Sequence, residues 1–130
     1  MIDEVIVPGW PQPRGYANGR VASGRTVHVG GQIGWTPAGV FEAEDLVGQF
    51  AQALDNVLAV VRAAGGAPDD IASMTVFVTD MPAYRAGRKQ LGPIWRERFA
   101  GYYPAMALVA VTELFEPKAI VEIQAVAHVL

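Results

Sequence analysis

An α+β domain of order ββαβαββ, with both helices on one face of a sheet, is the fold that three features of this 130-residue chain predict. The first is a long helical stripe from Leu46 to Ala64, with period-two stretches before and after it. The second is the last such stretch, Ala119 to Val129, whose odd-numbered residues are all apolar. The third is composition: 52% hydrophobic and 18% charged residues supply a sizeable core and argue against disorder. One domain spanning residues 1–130 is expected, because no repeat, low-complexity segment or compositional break divides the chain.

Met1 to Gly15 carries Pro8, Pro11 and Pro13 around Trp10, which predicts an irregular extended arm, with Trp10 either anchoring it to the body, the commoner role, or lining a cleft. Tyr16 to Val21 is a short strand, Ser23-Gly24-Arg25 a turn, and Thr26 to Gly30 a second strand with Val27 and Val29 on one side. The glycines of Gly30-Gly31-Gln32-Ile33-Gly34-Trp35 are wrongly spaced for a dinucleotide fingerprint; they suit a place where backbone amides approach something closely. Thr36-Pro37-Ala38-Gly39 is a turn. The first helix starts behind Asp45, a good N-cap residue, and ends at Gly65-Gly66. Pro68-Asp69-Asp70 turns into the strand Ile71 to Thr79, with Met74, Val76 and Val78 on one face and Ser73, Thr75, Phe77 and Thr79 on the other. Asp80-Met81-Pro82 opens a second helix, Ala83 to Phe99, that Gly92-Pro93 should kink or divide. Its apolar side is Tyr84, Leu91, Trp95 and Phe99. Two strands close the chain, Met106 to Thr112 and Ala119 to Val129, joined through a turn at Glu116-Pro117.

In that last strand Ala119, Val121, Ile123, Ala125, Ala127 and Val129 should face the helices. Ile120, Glu122, Gln124, Val126 and His128 then face away, on a surface shared with Phe77. That face is too apolar for open water and too polar for a dry core. It suits a subunit interface with polar clefts at its edges. A homo-oligomer is therefore expected, with Glu122 at an inter-subunit cleft, since a carboxylate buried alone is costly.

Several classes of function are disfavoured. Without cysteine there is no thiol catalysis, no disulfide and no Cys-based zinc site. His28, His128 and Glu122 have no ligand spacing, so neither a metal nor another cofactor is expected. A net charge of -3 and the lack of a basic stripe make nucleic acid a poor partner. The densest basic cluster, Arg85, Arg88, Lys89, Arg96 and Arg98, reads as a solvated helix face, with a site for a small anion as the minority reading. No stretch reaches transmembrane length and the N-terminus lacks a signal-peptide pattern, so no membrane association and a cytoplasmic location are expected.

Six stretches carry a further resemblance: Gly15-Tyr16, VHVGGQIGW at Val27 to Trp35, LDNVLAVVRAAGG at Leu54 to Gly66, TVFVTDM at Thr75 to Met81, YPAM at Tyr103 to Met106, and VEIQAVA at Val121 to Ala127. In this order they resemble the YjgF-type group, the Rid (reactive intermediate deaminase) family. The resemblance implies a chorismate-mutase-like α+β fold, a homotrimer with ligand clefts between subunits, and hydrolysis of enamine or imine intermediates to a keto acid and ammonia. It also implies an arginine after Pro-Ala that grips the substrate carboxylate; here that position is Met106, a thioether without charge. Gly30 stands where the family has serine or threonine, and the family's helix asparagine aligns near Gly92. Tyr16, Gly31, Gln32 and Glu122 do match, with the glutamate handling water or a proton at the imine.

The function so implied is that of a Rid-like hydrolase, without metal, acting on a small imine, enamine or related reactive intermediate other than a standard 2-iminoacid. Glu122 is the catalytic group, Tyr16 a hydrogen-bond donor, Gly31 and Gln32 the backbone loop, and Trp35, Met106 and Leu108 the apolar walls. Arg14 and Arg88 are the two arginines that could replace the missing clamp, although surface positions are the commoner fate of such residues. The alternative is a non-catalytic trimer that binds a small ligand or serves in interactions. Ribonuclease activity, a third class attached to relatives, fits poorly with the acidic charge.

Overall fold

The helical stripe forms the centre of the core in the computed structural model, which describes residues 2–130. Helix α1, Leu46–Ala63, buries Leu46, Phe50, Ala53, Leu54, Val57, Leu58 and Val61. At its end, Gly65 N–H donates to the Arg62 carbonyl and Gly66 N–H to the Val61 carbonyl, both at 2.9 Å. These two bonds, with Gly65 at φ 90°, make a Schellman stop. At its start Asp45 has the extended backbone of an N-cap, but its side chain makes no capping hydrogen bond.

Four strands form the main sheet: β3 (Arg25–Ile33), β4 (Ile71–Val78), β5 (Ala105–Ala110) and β6 (Val121–Val129), in the order β3-β6-β4-β5. β6 runs antiparallel to both neighbours, and β5 runs parallel to β4. The last two strands are therefore not partners; β4 lies between them. The alternation read from β6 holds: Val121, Ile123, Ala125, Ala127 and Val129 are at most 3% exposed. Across the sheet, Glu122, Val126 and His128 are half-buried with Phe77, and Gln124 is exposed.

The α+β class stands, and three details differ from expectation. First, the N-terminal arm begins with a strand, β1 (Ile2–Glu4), paired antiparallel with β2 (Arg20–Ala22) in a separate two-stranded sheet. The strand expected at Tyr16 to Val21 thus starts later, and Trp10 stays 60% exposed rather than anchoring the arm. Second, the second helix divides at Gly87, not at Gly92-Pro93, giving α2 (Met81–Ala86) and α3 (Arg88–Phe99). Gly87 is where the segment crosses α1: a Cβ there would come within 3.1 Å of Val47. Pro93 lies on the exposed side of α3, so its missing donor is tolerated without a break. Third, a 3₁₀ turn, Pro68–Asp70, precedes β4, fastened by an Asp70 carboxylate that accepts from Ala67 N–H at 2.7 Å.

Gln49 is the buried polar residue of α1, at 1% exposure. Its amide nitrogen donates to the carbonyls of Ala43 and Lys118, and its oxygen accepts from Ile120 N–H at 3.0 Å. Three backbone groups of two loops are thereby satisfied from one side chain. Asn56, further along α1, donates to the carbonyls of Ile33 (3.0 Å) and Trp35 (2.8 Å) and so holds the end of β3 against the helix.

Candidate functional site

The glycine stretch of β3 makes a β-bulge. Val29 pairs with Ala125 and Gln32 with Ile123, so β3 carries one residue more than β6 between these points. The extra backbone lies against Glu122. A Cβ built on Gly31 would overlap the Glu122 carboxylate, 2.8 Å from its Cδ and 3.0 Å from its Cγ. Glycine here lets the carboxylate rest on the main chain. Gln32 spans the bulge, donating from its amide to the Gly30 carbonyl at 3.2 Å. Among the described residues, the Glu122 carboxylate has no ion pair and no hydrogen bond. His128 does not partner it: its Nδ1 faces Thr26 Oγ1 at 3.5 Å, one strand over. Six positions along a strand separate His128 from Glu122 by about 20 Å. The described residues also contain no group of three His, Asp or Glu that could hold a metal ion.

A cavity of about 420 Å³ opens at the other end of the sheet. Its floor is the helix-facing side of β5: Met106 pairs with buried Met74, and Leu108 with buried Val76. Phe50 of α1, Tyr84 of α2 and Leu91, Gly92 and Trp95 of α3 form one wall. Arg14, Gly15, Tyr16 and Tyr103 form another, and Arg88 sits at the start of α3. The arm is held in place by Ala17, whose N–H donates to the Pro104 carbonyl at 2.9 Å and which bridges to Ala105. Gly15, at φ 77°, makes the preceding bend. Tyr103 is held from both sides. Its carbonyl accepts two bonds from Arg20 (2.6 and 3.1 Å), and its ring stacks on Trp95 with centroids 5.6 Å apart. Trp95 in turn stacks on Phe99 at 4.0 Å and donates to the Tyr102 carbonyl. Burial pushes the Tyr84 phenol above its ordinary pKa, so it remains a neutral hydroxyl at the cavity wall.

The residues singled out from the sequence thus fall into two groups. Tyr16, Met106 and Leu108 share the cavity; Gly31, Gln32 and Glu122 share the bulge. Trp35 lies just beyond the bulge, lining a surface groove together with Gln32 and packed at a tilt on Phe41 with centroids 5.9 Å apart. Within one chain the two groups are on opposite faces of the sheet. Glu122 pairs with Phe77, and Phe77 with Val109, on the face away from the helices; Met106 and Leu108 project toward them. Two strand spacings, about 10 Å, also separate β6 from β5. Trp95 and Tyr84, read from sequence only as the apolar side of a helix, join the cavity, as do Arg14 and Arg88, the two arginines named as replacements for the missing clamp. The missing signal was the parity of β5, an all-apolar strand whose residues suit either face.

The profile of the family described as Endoribonuclease L-PSP matches residues 11–129. A RutC family protein of Haemophilus influenzae is 35% identical over 105 residues, covering 80% of this chain and 79% of that protein. Among solved structures, YyfB of the Rid protein family from Yersinia pestis superposes with a TM-score of 0.84 at 27% identity, covering 98% of both chains. TdcF of E. coli, solved with bound serine, superposes with a TM-score of 0.72 at 34% identity, covering 95% of this chain and 93% of that one.

Proposed function

This chain belongs to the Endoribonuclease L-PSP family, the YjgF/Rid group, and from that premise we propose that it is a Rid-like hydrolase of a small imine or enamine, working in a cleft between subunits of a homotrimer. The observation that carries this reading is the unpartnered Glu122 carboxylate resting on the Gly31 backbone. A half-buried carboxylate with no cation and no donor beside it keeps its oxygens open to water and substrate. Water adds to the imine carbon while one of its protons passes through Glu122 to the nitrogen, giving a carbinolamine; the hydroxyl proton then follows the same route as the C–N bond breaks, releasing ammonia and a carbonyl product. Because Glu122 and the cavity lie on opposite faces of one sheet, the working cleft joins the bulge of one copy to the cavity of the next. Tyr16 offers a hydroxyl there, Met106 and Leu108 an apolar floor, and Gly31, Gln32 and Trp35 the approach from the bulge side.

Assembly is supported by surfaces that a lone chain leaves uncovered. β5 is a sheet edge made of apolar residues, with Leu108 37% and Val109 38% exposed. Such edges are normally paired or protected. Ribonuclease chemistry is disfavoured by the net charge of -3 and by a cavity lined mainly with aromatic and aliphatic side chains. A second reading, a trimer that binds a small ligand without turning it over, draws support from uncharged Met106 and from TdcF, a relative solved with serine bound.

The test is Glu122→Gln, which keeps size and removes the titratable group. Hydrolysis of a freshly generated imine panel should fall by at least about 100-fold, within the range a general acid–base contributes, with unchanged mass by light scattering. Unaltered turnover would remove Glu122 from the chemistry; binding without turnover in the parent chain would select the second reading.

A further inference from the structure

The bulge under the carboxylate has little of its own to hold its shape. Gly30 and Gly31 are exposed and have no side chains, and a Cβ built on Gly30 would meet nothing within 4 Å. Gln32 bonds back to the Gly30 carbonyl, within the bulge itself. Backbone of this kind is defined from its two ends. On one side Val29 is buried and paired with Ala125. On the other stands Ile33, the strand partner of Glu122, and here α1 takes hold. Asn56 Nδ2 donates to the carbonyl of Ile33 at 3.0 Å and to that of Trp35 at 2.8 Å. One amide thus straps the two carbonyls on either side of Gly34, which packs so closely on α1 that a Cβ there would come within 2.6 Å of the Gln49 Cβ. The strap is itself oriented. Asn56 Oδ1 accepts from Gln52 Nε2 at 3.0 Å, one turn earlier on α1, and that bond turns the amide nitrogen toward the strand.

We propose that Asn56 is a positioning residue for Glu122: by fixing the Ile33 and Trp35 carbonyls it sets the bulge on which the carboxylate rests. In giving that carboxylate a reaction to serve, the inference rests on the hydrolase reading. Asn56 belongs to the helix side of the sheet and Glu122 to the other side, so the effect passes through the backbone of β3. A displacement of about 1 Å in a reacting group can cost on the order of 100-fold in rate, which gives a strap remote from the chemistry kinetic weight.

Asn56→Asp keeps the size of the side chain and its acceptor for Gln52, and removes both donors to the strand. On a freshly generated imine it should lower kcat by about 10-fold or more and leave KM within about two-fold, the pattern of a misplaced group and not of a lost binding contact. In the Glu122→Gln background the same substitution should cost nothing further, because residues that act through one another are not additive. A full additional loss in that background would overturn the proposal. Amide NMR reads the same coupling without turnover. In the parent chain, Glu122→Gln should move the Gly31 amide resonance, since the carboxylate rests on that backbone. In Asn56→Asp the same replacement should leave it unmoved, with the amides of β4 and of the middle of α1 in their parent positions. Asn56→Ala, which removes the donors without adding a charge, should give the same two results. A Gly31 resonance indifferent to Glu122→Gln in the parent, or equally responsive with and without Asn56, would overturn the positioning role. The two readings fail separately: a parent chain that turns over no imine removes the hydrolase, and the NMR comparison then decides the strap by itself.

Discussion

Gly31 and Glu122 define each other. The glutamate was visible in the sequence as the one carboxylate in a largely apolar strand, whereas the reason for the glycine was not, since it depends on a bulge that brings residues 91 positions apart into contact. A methyl group at position 31 meets the far end of a flexible side chain, not backbone, so the carboxylate is displaced while the fold is kept. Gly31→Ala should therefore lower turnover by about 10-fold or more, as expected for a misplaced catalytic group, and shift the melting temperature by no more than a few degrees. Parallel calorimetry and kinetics check this; a large loss of stability with intact specific activity would mean that the glycine serves the strand and not the carboxylate. Arg14 and Arg88 teach the opposite lesson. Nothing in their neighbours in sequence marks them, because the cavity they border is assembled from the arm, three helices and an edge strand.

At the scale of elements, periodicity was the readable part. Helix α1 and the burial alternation of β4 and β6 follow directly from spacing. Neighbour relations do not, because pairing β5 with β4 in parallel requires the helical crossover from α2 and α3, and a strand such as β5 with apolar residues at every position has no parity to read. Gln49 is a case where the pattern itself misleads. It falls inside the helical stripe but is polar, and its function is to satisfy backbone groups of the 34–45 and 111–120 connections. Removing it leaves those groups buried without partners. Gln49→Ala should cost about 2–4 kcal/mol in urea unfolding, more than a surface helix substitution and comparable to core truncations. A cost under about 0.5 kcal/mol, the range of ordinary surface changes, would show that water replaces the amide without loss.

For the whole molecule, the sheet face away from the helices decides the outcome. Phe77 and Val126 are half-buried there beside Glu122, and β5 adds its open apolar edge. Phe77→Lys places a charge on that face and should dissociate the proposed trimer to single chains in multi-angle light scattering, with loss of the proposed turnover and little change in the far-UV spectrum. A variant that remains assembled would locate the contact elsewhere. The fold class could be read from sequence; the division of the site residues between two faces could not, since that is a property of the sheet order.

That division has a consequence for mixtures. If each cleft draws its carboxylate from one copy and its pocket from another, two dead proteins can cure one another. Glu122→Gln retains a sound pocket, and Leu108→Glu blocks the pocket while retaining the carboxylate. Unfolded together in equal amounts and refolded, they should recover about a quarter of the parent activity, because random assembly into a ring pairs a sound bulge with a sound pocket at that frequency. Either variant refolded alone should stay inactive. Recovery would show that the unit of function is the boundary between chains, and that this gene product is enzymatically incomplete until it meets its own copy.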